Sequence, residues 1–468
     1  MTCSHARGAI RFGLLALLLG CGAAAAPTPY DAGDDAAWDG AAQTDAGFDA
    51  TSTDAAAMDS GSADSGNSRD ASAPVDSGVV DSGIVDSGVV DSGTPDGGTP
   101  PAPSGTFEAM FTHRPTGNGR DTGVEDRITA LIDAAQPGSR IRVAIFSFTR
   151  SGPADALNRA AARGVDVRIL LDGGADGLGS EVSNLRTGLG ASRVHLCDAP
   201  GTACVGSGIM HHKTFLFSAL SDGSRNVVVQ SSYNLTTAQL TGNNDGLIVR
   251  GDAALFAAYE RTWRDLWADV EDPNYYHEDA GDYRSRAYFF PRDTGADPVL
   301  DAVNSVSCDA TSRIRVAMAY FTDGRREVAQ ALATRAREGC DVRVVAGDST
   351  IPIGTLVRSL LTTGGVVLTP YPTRSGWELH SKYMIIDAPF AGSVAHRQLV
   401  ITGSENYSAS ALRSNDESML RVEDAGLRPV HDELARRAQR RDSTLIARAV
   451  LMTFSGAGTR ETLRPSEP

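Results

Sequence analysis

The chain has 468 residues, with 43 Lys/Arg against 58 Asp/Glu and a formal net charge of −15. That length allows two or more domains with a sizeable core. The acidity is local: residues 22–104 carry 15 Asp/Glu and one Arg, and residues 105–468 come to only −3, which argues neither for nor against a polyanionic partner.

Residues 1–20 read as an export signal. Arg7 and Arg11 precede an apolar run, Phe12 to Leu19, that is too short to span a bilayer. The run stops at Leu18-Leu19-Gly20-Cys21, which resembles a bacterial lipobox whose Cys is diacylated and becomes the mature N-terminus. Two acyl chains suffice for stable anchoring. Gly22 after the Cys resembles outer-membrane sorting, so the expected location is the outer membrane, on its periplasmic or outer face.

Residues 21–104 follow as a tether of Ala, Asp, Ser, Gly, Thr and Pro. A five-residue period begins at Asp76 (DSGVV, DSGIV, DSGVV). Such a composition cannot bury enough apolar surface to fold. As a flexible coil it spans roughly 50 Å.

From residue 105 the chain repeats itself. Ser139-Arg-Ile-Arg-Val-Ala144 recurs as Ser312-Arg-Ile-Arg-Val-Ala317, and Phe148-Thr149 recurs as Phe321-Thr322, at an offset of 173. Each apolar run precedes a helical stretch (154–163; 326–338) and a second strand (165–171; 341–345). Strand, helix and strand at this spacing predict a βαβ unit with a parallel sheet. The expected architecture is two similar α/β lobes, 105–270 and 286–450, joined by 271–285 and followed by a tail, 451–468. Such lobes pack as a pseudo-dimer about a pseudo-twofold axis, giving a monomer whose site draws on both.

Four cysteines remain beyond Cys3 and Cys21. Cys197 and Cys204 flank a short turn-rich loop and are expected to pair, leaving Cys308 and Cys340 to pair with each other. No C-x₂-C spacing supports a zinc site instead.

Late in each lobe sits one constellation. The first lobe has His211-His212-Lys213, Ser232-Tyr233-Asn234 and Asn243-Asn244-Asp245; the second has His380-Ser381-Lys382, Gly403-Ser404-Glu405-Asn406 and Asn415-Asp416-Glu417. Asn234 to Asp245 and Asn406 to Glu417 are both 11 residues apart. Of the 43 basic residues only Lys213 and Lys382 are Lys. A surface cation tolerates Arg, whereas a compact ammonium against a phosphate oxygen need not tolerate a planar fork.

This pattern resembles the phospholipase D superfamily, whose signature is H-x-K-x₄-D followed by G-S-x-N. The second lobe matches with His380, Lys382, Asp387, Gly403, Ser404 and Asn406. The first departs from it: Ser218 stands for the Asp, Ser231 for the Gly, and Asp245 is shorter than the usual Glu. The resemblance implies a covalent phosphohistidine with no metal or other cofactor, and the first-lobe His as nucleophile.

The chemistry also follows from the residue types. Two imidazoles on opposite sides of one phosphorus supply nucleophile and acid. Lys213, Lys382, Asn234 and Asn406 stabilise the phosphate charge. Asp245 and Glu417 are expected to accept the distal N–H of each His, with Ser232, Ser404 and Asp387 in support. His212 reads as a packing residue, and His113, His195, His277, His396 and His431 as surface or loop positions. The expected substrate is a phospholipid or other phosphodiester, with nucleic acid as the alternative. A non-catalytic phosphate-binding protein is the reading from a different class.

Overall fold

The computed structural model describes residues 106–423, apart from 113–118, 175–179, 199–200, 350 and 374–375. The export signal, Cys21, the tether, His113, His431 and the tail lie outside these residues.

The first lobe comprises β1 (Thr106–Phe111), α1 (Gly123–Asp133), β2 (Arg140–Ile145), α2 (Ser151–Ala162), β3 (Asp166–Asp172), α3 (Ser180–Leu189), β4 (Val194–Cys197), β5 (Lys213–Ala219), β6 (Arg225–Ser231), β7 (Gly242–Asn243), β8 (Asp245–Arg250) and α4 (Ala253–Ala268). The second comprises β9 (His277–Ala280), β10 (Ser285–Phe290), α5 (Pro298–Asn304), β11 (Arg313–Met318), α6 (Arg326–Arg337), β12 (Asp341–Gly347), α7 (Thr355–Thr363), β13 (Val367–Tyr371), β14 (Glu378–Leu379), β15 (Lys382–Pro389), β16 (His396–Gly403), α8 (Ala409–Arg413) and β17 (Glu417–Glu423). The sheets run β1-β8-β6-β5-β2-β3-β4 and β13-β12-β11-β15-β16-β17-β10-β9.

Each sheet is mixed rather than wholly parallel. The expected βαβ units form the parallel β2-β3 and β11-β12 pairs, while β5, β6 and β8, like β15, β16 and β17, join antiparallel. The short turns joining β5 to β6 and β15 to β16 permit only antiparallel pairing, which periodicity alone does not reveal. The stretch 271–285, expected as a connection, contributes β9, which pairs with β10 at the edge of the second sheet.

Alternation along the strands builds the core. Ile141, Val143 and Ile145 of β2 face α1, α2 and α3, and Ile314, Val316 and Met318 of β11 do the same under α5, α6 and α7. On the opposite face, Leu216, Val228, Leu247 and Val249 form one apolar cluster with α4 and with Ala287, Phe289, Val400, Leu420 and Val422 of the second lobe. Shared apolar burial thus fixes the two lobes against each other. The start of α4 is locked to the second lobe as well: Asp252 accepts from Leu255 N at 2.9 Å as N-cap and from Ser285 Oγ at 2.6 Å.

Cys197 is bonded to Cys204, and Cys308 to Cys340.

Candidate active site

Before each His-x-Lys the chain leaves its own sheet and pairs with the other lobe. His211 N–H donates to the Asp416 carbonyl at 2.9 Å, and Asp416 N–H returns a bond to Ile209 at 2.9 Å. On the other side β14 runs parallel to β7, and His380 N–H donates to the Asn243 carbonyl at 2.9 Å. Each imidazole therefore stands on a strand entrance pinned to the opposite lobe. Strand alternation then turns His212 away from His211 and Lys213.

The loops bearing Asn234 and Asn406 are tied in the same way in both lobes. Thr149 N–H donates to the Leu235 carbonyl and Leu235 N–H to Ser147, while Thr322 and Tyr407 do likewise with Tyr407 and Tyr320. The repeated Phe-Thr dipeptide is thus the brace of the Asn loop.

The ring partners are not symmetric. His211 Nδ1 lies 2.8 Å from Glu417 Oε1, across the lobe boundary. His380 Nδ1 lies 2.9 Å from Asn244 Oδ1, also across the boundary. Asp245, expected as a His partner, instead accepts from the Lys382 backbone N–H at 2.8 Å and Thr402 Oγ1 at 2.5 Å. Its place in the strands explains this. Asp245 opens β8 opposite Phe111 as Glu417 opens β17 opposite Phe290, so Asn244 matches Asp416. His211 pairs with Asp416, but His380 pairs with Asn243, one residue earlier than symmetry requires. That slip brings Asn244 to the ring in place of Asp245.

Lys213 and Lys382 are buried, and each Nζ donates to its own motif's His carbonyl, at 2.7 and 3.0 Å. Phe146 supports the first motif, with its ring 5.1 Å from His211 and 5.2 Å from Lys213 Nζ. Asn234 and Asn406 are buried as well, on the braced loops that follow β6 and β16. The two motif serines tie backbone to side chains: Ser232 Oγ accepts from Asp245 N–H at 2.9 Å and donates to Asn244 Oδ1 at 3.4 Å, and Ser404 Oγ accepts from Ser418 N–H at 3.0 Å while donating to Glu417 Oε2 at 2.5 Å.

Electrostatics couple the lobes. Burial pushes the Glu417 carboxyl up to about 7, against the opposing pull of Lys213 and Lys382. Burial, then Lys382, Lys213 and His211, drive His380 well below the usual imidazole range. Burial and Lys213 take His212 down to about 3, so it remains neutral. Asp416 is pushed up to about 7 by burial and accepts from Cys204 N–H at 2.6 Å and Gly206 N–H at 2.7 Å. It holds the disulfide loop of the first lobe, a role the sequence did not reveal.

The departures in the first motif have local explanations. Asp387, carried over as supporting, lies five residues along β15 from Lys382, about 16 Å away, and bonds to His396 Nδ1 at 2.8 Å. Ser218, its counterpart, accepts from Arg140 N–H at 2.9 Å. Ser231 stands where the second lobe has Gly403, yet Gly246 stands where it has Ser418, so glycine and serine have exchanged strands. A Cβ at Gly403 would meet the Ser418 carbonyl at 2.5 Å, and one at Gly246 would meet Ser231 Oγ at 3.0 Å.

The other histidines among the described residues have structural partners. His195 faces Asp269 at 3.2 Å, His277 faces Asp279 at 2.7 Å, and His396 bridges Asp387 and Asp309. His195, Cys197 and Asp269 bring potential metal ligands within 4.8 Å of one another, but the Cys197 sulfur is engaged in its disulfide.

The family described as "Cardiolipin synthase, PLD-like domain" matches residues 128–267 and 308–441, one segment in each lobe. The chain is 27% identical over 150 residues to the mitochondrial cardiolipin hydrolase of Xenopus tropicalis, a match covering 32% of this chain and 63% of that relative, less than two thirds of its length. Among solved structures, phosphatidylserine synthase from Haemophilus influenzae is similar with TM-score 0.50 and 14% identity, over 72% of this chain and 88% of that one. Polyphosphate kinase from Porphyromonas gingivalis has TM-score 0.48 and 15% identity, over 71% of this chain and 50% of its own. With both lobes matched and both motifs at one centre, the chain belongs to the phospholipase D superfamily.

Proposed function

We propose that this chain hydrolyses phospholipid phosphodiester bonds through a phosphohistidine intermediate at the shared site. The observation that carries the reading is the pairing of His211 with Glu417 across the lobes, with His380 in the same charge field. Because Nδ1 of His211 is engaged by Glu417, Nε2 is the reacting nitrogen. It attacks phosphorus as the bond to the leaving alkoxide breaks, and His380 delivers a proton to that alkoxide. Water then attacks the phosphohistidine, His380 takes the water proton, and the P–N bond breaks. The cation formed on His211 lies against the Glu417 carboxylate, while Lys213, Lys382, Asn234 and Asn406 offset charge on the phosphate oxygens.

A phospholipid substrate is supported by the names of two relatives, a cardiolipin hydrolase and a phosphatidylserine synthase. It also suits the lipid anchor expected at Cys21. The test is an assay of the full chain in detergent with labelled phosphatidylcholine, cardiolipin and DNA, with excess EDTA. Release of the head group or phosphatidic acid in EDTA is expected. Cleavage of DNA alone would move the substrate to nucleic acid, and loss of activity restored by a divalent ion would sink the phosphohistidine mechanism.

A further inference from the structure

We propose that Asn244 is the positioning residue of His380: it fixes the ring in its Nδ1–H form and denies it a carboxylate counter-charge. This rests on the reading of the site above and adds a residue to which sequence reasoning gave no role.

The Asn244 amide is committed on both sides. Its Nδ2 donates to the carbonyls of Gly242 at 3.0 Å and Gln239 at 3.4 Å. That leaves Oδ1 toward His380, 2.9 Å from Nδ1, where it also accepts from Ser232 Oγ at 3.4 Å. An amide oxygen only accepts, so Nδ1 carries the hydrogen and Nε2 is the ring's unprotonated nitrogen when His380 is neutral. The backbone is held as firmly. Asn244 N–H donates to Thr112 Oγ1 at 2.7 Å, Thr112 Oγ1 donates to Gly242 O at 2.6 Å, and Thr112 N–H donates to Asn244 O at 3.2 Å.

The groups facing His380 set its charge. Lys382 on its own strand and Lys213 and His211 of the first lobe disfavour a second proton, and the Ser232 carbonyl favours it. The neighbouring carboxylates serve elsewhere: Asp245 holds Lys382 N–H and Thr402, and Glu417 holds His211 and Ser404. A neutral amide orients the ring in either protonation state but lends little to the imidazolium, whereas a carboxylate would stabilise it. His380 therefore holds its second proton weakly and gives it up readily, which suits delivery to a leaving alkoxide. His211 has the opposite provision, a carboxylate for the cation that forms when its Nε2 bonds to phosphorus.

The first measurement needs no turnover, so it stands apart from the proposed activity. In ¹⁵N-histidine-labelled full chain, with His380 assigned by its loss in His380→Gln, the neutral ring should show a protonated Nδ1 and a bare Nε2. The opposite tautomer overturns the proposal. In Asn244→Asp the His380 titration should move up by on the order of one pH unit or more, and an unchanged titration overturns the claim that the amide sets it. The second measurement compares kcat/KM of this variant and the parent across pH on two substrates. With an alkyl leaving group the variant-to-parent ratio should climb about tenfold per unit of pKa rise, going from acid to alkaline pH. With a p-nitrophenyl diester, whose leaving group needs no proton, the ratio should stay flat. A climb on both substrates would make His380 the attacking imidazole and overturn its role as acid. Should Asn244→Asp fail to fold, Asn244→Ala removes the acceptor and should admit the Nε2–H tautomer; an unaltered tautomer would overturn the assignment.

Discussion

At the scale of single residues, the site depends on compact groups in fixed, buried positions. Lys213 and Lys382 are 0% and 2% exposed, and each ammonium reaches back to the carbonyl of its own motif's His. A guanidinium keeps the charge but not the volume or the geometry. Lys213→Arg and Lys382→Arg should each lower kcat by at least about 100-fold with the fold intact by circular dichroism; activity within threefold of the parent would contradict this. Glu417 supplies a pH dependence. Burial holds its carboxyl up to about 7, so it is a full counter-charge for His211 only above that pH. With a p-nitrophenyl diester, whose leaving group needs no proton from His380, activity should therefore fall as pH drops through about 7, with an apparent pKa belonging to the His211–Glu417 pair. Glu417→Gln should lower the rate and flatten that acid limb, which a pH–rate profile reads directly.

At the scale of elements, the repeated strands carry two different kinds of motif position. His, Lys, Ser and Asn sit where β5, β6, β15 and β16 meet the opposite lobe, whereas Ser218 and Asp387 sit at the far ends of β5 and β15. Ser218→Asp should consequently change kcat by less than about twofold, since a charge some 16 Å along the strand is too distant to act on the phosphate. A large gain would mean that the aspartate acts on the site through the strand. The exchange of Ser231/Gly246 for Gly403/Ser418 shows the same principle in packing. The sheet needs one small residue where these strands cross, and either strand can supply it.

At the scale of the whole molecule, stability and activity both depend on groups buried between elements. Arg325 precedes α6 and is fully buried, bonded to Asp297, the N-cap of α5, with Nη1 3.8 Å from Glu405, which adjoins Asn406. Burial raises the Glu405 carboxyl from 4.5 to about 8. The folded state thus keeps a proton that the unfolded chain has lost, and stability falls as pH rises from about 4.5 to about 8. Glu405→Gln should raise the denaturant midpoint relative to the parent at pH 8 and leave it nearly equal at pH 4; the reverse order would refute the sign. The disulfides differ in leverage. Cys308–Cys340 closes 32 residues of separation and Cys197–Cys204 closes 7. On the chain-entropy account, replacing the first pair by alanine should cost about 1 kcal/mol more than replacing the second, measured by urea unfolding.

The sequence by itself determined the doubled α/β plan, the two His-x-Lys motifs and both cysteine pairs. These follow from local periodicity, from a repeat at constant offset and from residue chemistry, all of which survive in one dimension. Tertiary structure alone decided which residue meets which ring. Asp245 and Glu417 occupy equivalent positions 11 residues after their asparagines, and nothing local separates their roles. The difference arises because the second lobe's strand enters the first lobe one residue out of step with the pseudo-twofold, and a one-residue shift between paired strands changes which side chain reaches the partner. The mixed sheets, the anchoring of the disulfide loop by Asp416 and the burial of Glu405 against Arg325 are likewise contacts between distant segments, set by packing that no local pattern encodes.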